Sequence, residues 1–151
     1  MILNPDTIIE ENTISTMVDY LEKNENVGMV GPKILNADGT LQLACKRSFP
    51  TIKVALPKIL GLDRIFPRSR WAGKYNLTYL DPEKIHKVDA ISGSCMLMKS
   101  DLFKEMNGFD ERFFMFGEDL DLCKRIWESK HEIHYIPYTK IIHYKGESVR
   151  T

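Results

Sequence analysis

Apolar and polar residues fall into blocks along this chain, and the period changes from block to block. Met1-Ile2-Leu3 reads as the end of a strand. After the Asn4-Pro5-Asp6 break, Thr7 with Glu10 three residues on fits a capping box, in which hydroxyl and carboxylate each satisfy a free amide at a helix start. Ile14, Met17, Val18 and Leu21 recur at helical spacing, which predicts one apolar stripe against a core, ending at Asn24 to Asn26. Val27 to Val30 read as a buried strand continuing through Gly31-Pro32 to Ile34-Leu35. Asp38-Gly39 predicts a turn, with Leu41 to Ala44 returning antiparallel to Lys33-Leu35.

From Arg47 to Lys87 the pattern loses its period. Prolines punctuate it, Ile52 to Leu62 is apolar, and aromatic residues are mixed with basic ones. Its apolar content is too high for free coil, so it reads as an irregular excursion of a folded unit. Regularity returns at Val88 to Met98, a turn followed by a buried strand. Ser100 can cap a short helix through Met106, with Gly108 as its stop. Gly117-Glu118-Asp119 opens a longer helix with Leu120, Cys123 and Trp127 on one face. Ile133 to Ile136 and Lys140 to Tyr144 are strand-like, divided by Pro137. The order of elements is mixed α/β.

Composition narrows the class. The 151 residues are 43% hydrophobic and 28% charged, which suits one ordinary globular domain spanning the chain. Twenty-one basic and 21 acidic side chains cancel, so no global field draws the protein to nucleic acid or to an anionic membrane. Basic residues cluster locally at Lys46-Arg47 and again from Arg64 to Lys74. No stretch reaches the roughly 20 apolar residues of a membrane span, and the start does not read as a signal peptide. Cys45, Cys95 and Cys123 have no metal-site spacing and read as buried free thiols, which suits a reducing, cytoplasmic setting. A chain that opens on the last residues of a strand has either a simplified edge strand or a longer parent.

Three constellations could carry chemistry. Asp6, where a strand leaves a sheet, could hold a divalent cation bridging a diphosphate, or could support the following helix. Glu118 and Asp119 open a helix, where the dipole favours negative charge; one could take a proton from a sugar hydroxyl, or both could be simple helix-start acidity. Asp121 has Arg125 four residues on, so an ion pair explains it locally. His143, at a strand end before Gly146-Glu147-Ser148, could be a metal ligand or a satisfied core histidine. His86, His131 and His134 have no partner spacing.

Taken in order, ILNPDT, VGMVGPKILNADGTLQ, VDAISGSCMLMKSDLFKEMNGFDERFFMFGEDLDLCKRI and IIHYKGES resemble family 2 glycosyltransferases, and within them the rhamnosyltransferase-like group that builds bacterial surface polysaccharides. The resemblance spans almost the whole chain and is weakest between Phe49 and Lys87. It implies a partial GT-A fold, a mixed sheet flanked by helices. By the same resemblance the chain is expected to be the acceptor-side half, without the N-terminal nucleotide-binding half.

By the same resemblance Asp6 is a metal ligand, with Asn4 where the first Asp of the family's DxD would stand, and His143 completes the site. Mg²⁺ or Mn²⁺ is the implied cation. Asp119 is the implied catalytic base beside Glu118, Ser92-Gly93-Ser94 and Gly117 line the sugar and acceptor pocket, and Trp127 belongs to the core. The implied reaction is inverting transfer from a dTDP- or UDP-sugar to a saccharide or lipid-linked saccharide. The chain alone is expected to be inactive for want of half the donor pocket. The competing reading is a non-catalytic saccharide- or partner-binding module, with Phe66 to Tyr79 stacking on sugar rings. Further expectations are a homodimer through an exposed sheet edge, peripheral contact at the inner face of the membrane, and no nucleic acid partner.

Overall fold

The computed structural model describes residues 1–114 and 116–144. Its spine is a parallel pair, β3 (Val27–Leu35) and β6 (Glu132–His143). β3 is nearly all apolar because it is covered on both faces, as central strands of mixed sheets are. Beside β3 runs antiparallel β5 (Cys95–Met98), all four residues buried, and beyond it the short β1 (Ile2–Leu3). The far side of β6 is shared by two antiparallel strands. β4 (His86–Val88) pairs with its first half and β2 (Thr7–Ile9) with its second. Helices α1 (Thr13–Lys23), α4 (Ser100–Glu105) and α5 (Glu118–Glu128) flank this sheet.

The helices are held by what they bury. α1 turns Thr13, Met17 and Leu21 inward, and Thr13 is tied to β6 by a 2.7 Å hydrogen bond donated from the Thr139 hydroxyl. α5 buries Leu122, Cys123 and Ile126. Each has no exposed surface, so truncating Leu122 or Ile126 to alanine would cost about 2–5 kcal/mol. No helix among the described residues is long and apolar enough to cross a membrane.

Several expectations change. Thr7–Ile9 is a strand, and the helix begins at Thr13: pairing with Ile141–His143 wins over the local capping signal. Ile14 is consequently exposed. Leu41 makes one bridge to Leu35, after which Leu43–Cys45 turns into a 3-10 helix instead of a returning strand. Ser100 is the first helical residue and makes no side-chain cap. The two C-terminal strand segments form one strand, with Pro137 in the stretch where the register against β3 slips. A proline is tolerated there because a bulge asks for no ladder hydrogen bond. Trp127 is 51% exposed, with Phe49 edge-on at 6.3 Å, because the buried face of α5 lies a residue away from the expected one. The excursion contains two helices, α2 (Ile52–Ile59) and α3 (Leu62–Ile65).

Candidate active site

The C-terminal ends of β3 and β6 are where an α/β sheet presents its crevice to ligands. The Asn4-Pro5-Asp6 turn, the return toward Arg47, the Ser92-Gly93-Ser94 turn, the start of α5 and the end of β6 all meet there. They enclose a cleft of about 600 Å³, lined among others by Arg47, Tyr75, Gly93, Glu118, Asp119 and His143. Every expected site residue except Asp6 lines this cleft, and Asp6 touches it through His143.

Asp119 is held by the protein on both oxygens. Its Oδ2 accepts hydrogen bonds from the Gly93 backbone N–H at 3.1 Å and from Arg47 Nη2. Its Oδ1 accepts the Leu120 N–H at 2.8 Å. A carboxylate offers about four lone-pair sites. Three donors among the described residues leave one site, on Oδ1, for a hydroxyl in the cleft. Glycine at position 93 eases this approach, since a Cβ there would stand a tight 3.3 Å from the Asp119 Cβ. Gly117 has a left-handed φ of 96° and Phe116 one of 68°, and this pair of twists swings the chain into α5. Both acidic side chains therefore sit in the first turn, at the positive end of the helix dipole. Glu118 also faces the cleft, and its Oε2 is buried without a hydrogen-bond partner among the described residues.

Arg47 is the site residue that sequence reasoning did not identify. In the sequence it is only half of a local basic pair with Lys46; in the fold Lys46 is 1% exposed and Arg47 8%. Lys46 donates to the Leu77 carbonyl at 3.2 Å and lies 5.9 Å from the Tyr135 ring centroid, and burial pulls its pKa below the ordinary lysine value. Arg47 exchanges two main-chain hydrogen bonds with Ala90, while its Nη2 donates to the Ile91 carbonyl at 2.7 Å. The guanidinium thus joins the Ser92–Ser94 turn to Asp119. The available signal was position: two cations inside a segment that returns to the sheet need buried partners.

His143 is oriented by a chain of hydrogen bonds whose direction is fixed at its far end. The Asp38 carboxylate can only accept, so Thr40 Oγ1 donates to it at 2.6 Å. Asn36 Nδ2 must then donate to Thr40 Oγ1 at 2.9 Å, and Gln42 Nε2 to Asn36 Oδ1 at 3.2 Å. That turns Gln42 Oε1 toward His143 Nδ1, at 3.1 Å, with the Ser94 hydroxyl also 3.0 Å away. The assignment puts a proton on Nδ1; Nε2 then carries a lone pair in the neutral ring and a second N–H in the imidazolium. Asp6 Oδ1 stands 3.2 Å from that nitrogen, buried and without a hydrogen-bond partner. Asn4 Nδ2 approaches Nε2 at the longer distance of 3.4 Å.

With the ring neutral and its proton on Nδ1, two lone-pair donors face each other out of water and repel unless something positive lies between them. Neighbouring ligands of an octahedral cation at about 2.1 Å stand about 3 Å apart, so the 3.2 Å separation fits a divalent cation. No group of three or more His, Cys, Asp or Glu side chains that could hold a metal occurs among the described residues, so further ligands would be substrate oxygens or water.

Other sequence candidates resolve simply. Asp121 pairs with Arg125 at 2.7 Å, as its spacing predicted. His86, His131 and His134 are hydrogen-bonded to neighbours and do not line the cleft. Gly146, Glu147 and Ser148 lie outside the described residues.

Residues 1–151 match the family described as glycosyltransferase like family 2. The chain is 30% identical over 148 residues to an N-acetylglucosaminyl-diphospho-decaprenol L-rhamnosyltransferase of Mycobacterium tuberculosis, covering 98% of this chain and 47% of that protein. It is 29% identical over 155 residues to rhamnosyltransferase WbbL of Escherichia coli K12, covering 100% of this chain and 54% of that protein. The chain spans about half the length of the curated relatives it matches. The crystal structure of GalNAc-T7 with UDP, GalNAc and Mn²⁺ superposes with a TM-score of 0.58 at 13% identity, over 95% of this chain and 27% of that one. At that identity the likeness concerns fold alone, and the mixed sheet with its flanking helices is a partial GT-A fold. Sequence and architecture together place the chain in glycosyltransferase family 2, where it is similar to the rhamnosyltransferases.

Proposed function

We propose that these residues form the acceptor-side half of an inverting glycosyltransferase. It moves a sugar from a dTDP- or UDP-sugar to a saccharide or lipid-linked saccharide during surface-polysaccharide synthesis. The observation that carries the reading is Asp119, held on both oxygens at the cleft wall with one acceptor site left open. The names of the rhamnosyltransferase relatives support rhamnose as the sugar. A cytoplasmic setting at the inner face of the membrane is in keeping with three buried, unpaired cysteines.

The acceptor hydroxyl hydrogen-bonds to Asp119 Oδ1. Its oxygen attacks the anomeric carbon as its proton passes to that carboxylate, and the bond from carbon to the diphosphate oxygen breaks with its electron pair leaving on the nucleoside diphosphate. Attack from the face opposite the leaving group inverts the configuration. Arg47 and the Gly93 N–H keep the carboxylate in place, so little reorganisation is needed at the moment of reaction. Ser92-Gly93-Ser94 and Gly117 shape the acceptor side of the pocket, and Glu118 adds a second carboxylate beside the base. Asp6 Oδ1 and His143 Nε2 would hold Mg²⁺ or Mn²⁺, which neutralises charge on the departing diphosphate.

In the complete enzyme, Asp119→Asn should lower transfer about a thousandfold while donor affinity is kept. Near-normal turnover in a radiolabelled-sugar assay would remove Asp119 from the role of base.

A further inference from the structure

One surface lies outside the cleft chemistry altogether. In α2 the apolar residues Ile52, Leu56 and Ile59 recur at helical spacing and form one stripe. Such a stripe normally faces the core. Here it faces water, with Ile52 86% and Ile59 79% exposed. The apolar surface continues through Ile65, Phe66 and Trp71, all more than half exposed. An exposed run of this kind marks an interaction site.

Charge identifies the partner. Between Ile52 and Lys74 stand six cations (Lys53, Lys58, Arg64, Arg68, Arg70 and Lys74) against the single carboxylate of Asp63. Asp63 is buried and already paired with Lys58 at 2.7 Å. A chain with no net charge therefore concentrates its positive charge where it also exposes its apolar side chains. A second copy docked symmetrically on this face would set like charge against like. A surface both anionic and apolar satisfies both halves of the pattern.

We propose that α2 and α3 form a docking surface for an anionic phospholipid bilayer. The apolar stripe enters the boundary between headgroups and acyl chains, and the lysines and arginines lie on the phosphates. The surface leaves directly from the active-site rim: Phe49, Pro50 and Thr51, just before α2, wall a shallow depression with Phe113, Gly117 and Leu120. Docking would bring the cleft to a lipid-linked acceptor, and only this purpose rests on the proposed transferase reading.

The test is flotation of the protein with vesicles, read with no sugar substrate present. Vesicles of phosphatidylglycerol mixed with phosphatidylcholine should retain it, and raising salt from about 0.1 to about 0.5 M should release about tenfold or more. Phosphatidylcholine alone should retain little. Ile59→Asp with Phe66→Asp, and separately Lys53→Glu with Arg68→Glu, should each cut retention about tenfold. All four positions are exposed, so an unchanged circular-dichroism spectrum and urea midpoint are expected. Asp119→Asn should bind vesicles like the parent, which separates failure of this proposal from failure of the catalytic one. Absence of binding to anionic vesicles overturns the proposal, as does equal retention on neutral ones or full retention by both double variants. A dimer in light scattering that Ile59→Asp dissociates would assign the face to a second copy, and would overturn it too.

Discussion

Asp119 lines the cleft, Asp6 reaches it only through His143, and the protein treats their carboxylates differently. Asp119 is anchored on both oxygens by Arg47, Gly93 and Leu120, with a single acceptor site left over. Asp6 keeps Oδ1 buried and without a hydrogen-bond partner, 3.2 Å from His143 Nε2. A base must be positioned before substrate arrives, because misplacement costs rate directly. A cation ligand must instead keep its lone pair open, and the protein fixes the groups behind it. The protein itself supplies partners to both oxygens of Asp119, whereas Asp6 Oδ1 and His143 Nε2 would be completed by the proposed cation.

The largest effect should come from removing a partner of Asp119. Arg47→Ala leaves the Asp119 carboxylate in a protein-lined site without its cation, at a cost of about 3–5 kcal/mol. Urea unfolding would measure it, and a loss below about 1 kcal/mol would show that the pair is not structural. Beside Asp6, Gln42→Leu removes the acceptor that sets the His143 tautomer. Metal affinity should fall about ten- to a hundredfold, as for other groups that orient a ligating histidine. Unchanged affinity would mean that the chain from Asp38 does not fix the tautomer.

The smallest effect expected is none. Cys95, beside Ser94, and Cys123, one turn into α5 behind Asp119, have their pKa pushed up from 9.0 to about 12 by burial. At pH 8 about one thiol in ten thousand is then ionised, so native protein should resist Ellman's reagent until it is unfolded. Because the unfolded chain releases these protons first, stability should fall as pH rises from 9.0 toward about 12. Rapid labelling of Cys123 alone would mean that the helix behind Asp119 opens locally.

Much of this arrangement was legible in the sequence. The continuous apolar run of β3, the all-buried β5 and the acidic opening of α5 are local patterns, and the structure keeps them. The parts that were not legible depend on partners far along the chain. Thr7–Ile9 becomes a strand because Ile141–His143 lies beside it, which the local Thr7 and Glu10 pair could not reveal. Arg47 meets Asp119 across 72 residues, and Gln42 meets His143 across 101. Spacing carries no signal at such separations. Asp6, His143 and Asp119 were candidates from their positions in the sequence and took their expected roles from the family resemblance; the residues that orient them came from the fold.

The central claim is that the protein itself partners Asp119, while a cation completes Asp6 and His143. Calorimetric titration of Mn²⁺ into the parent, Asp119→Asn and Asp6→Asn proteins tests it most directly. The account predicts one bound Mn²⁺ per chain with matching affinity for the parent and Asp119→Asn, and no detectable binding for Asp6→Asn. Parent-like affinity in Asp6→Asn, or its loss in Asp119→Asn, would contradict it.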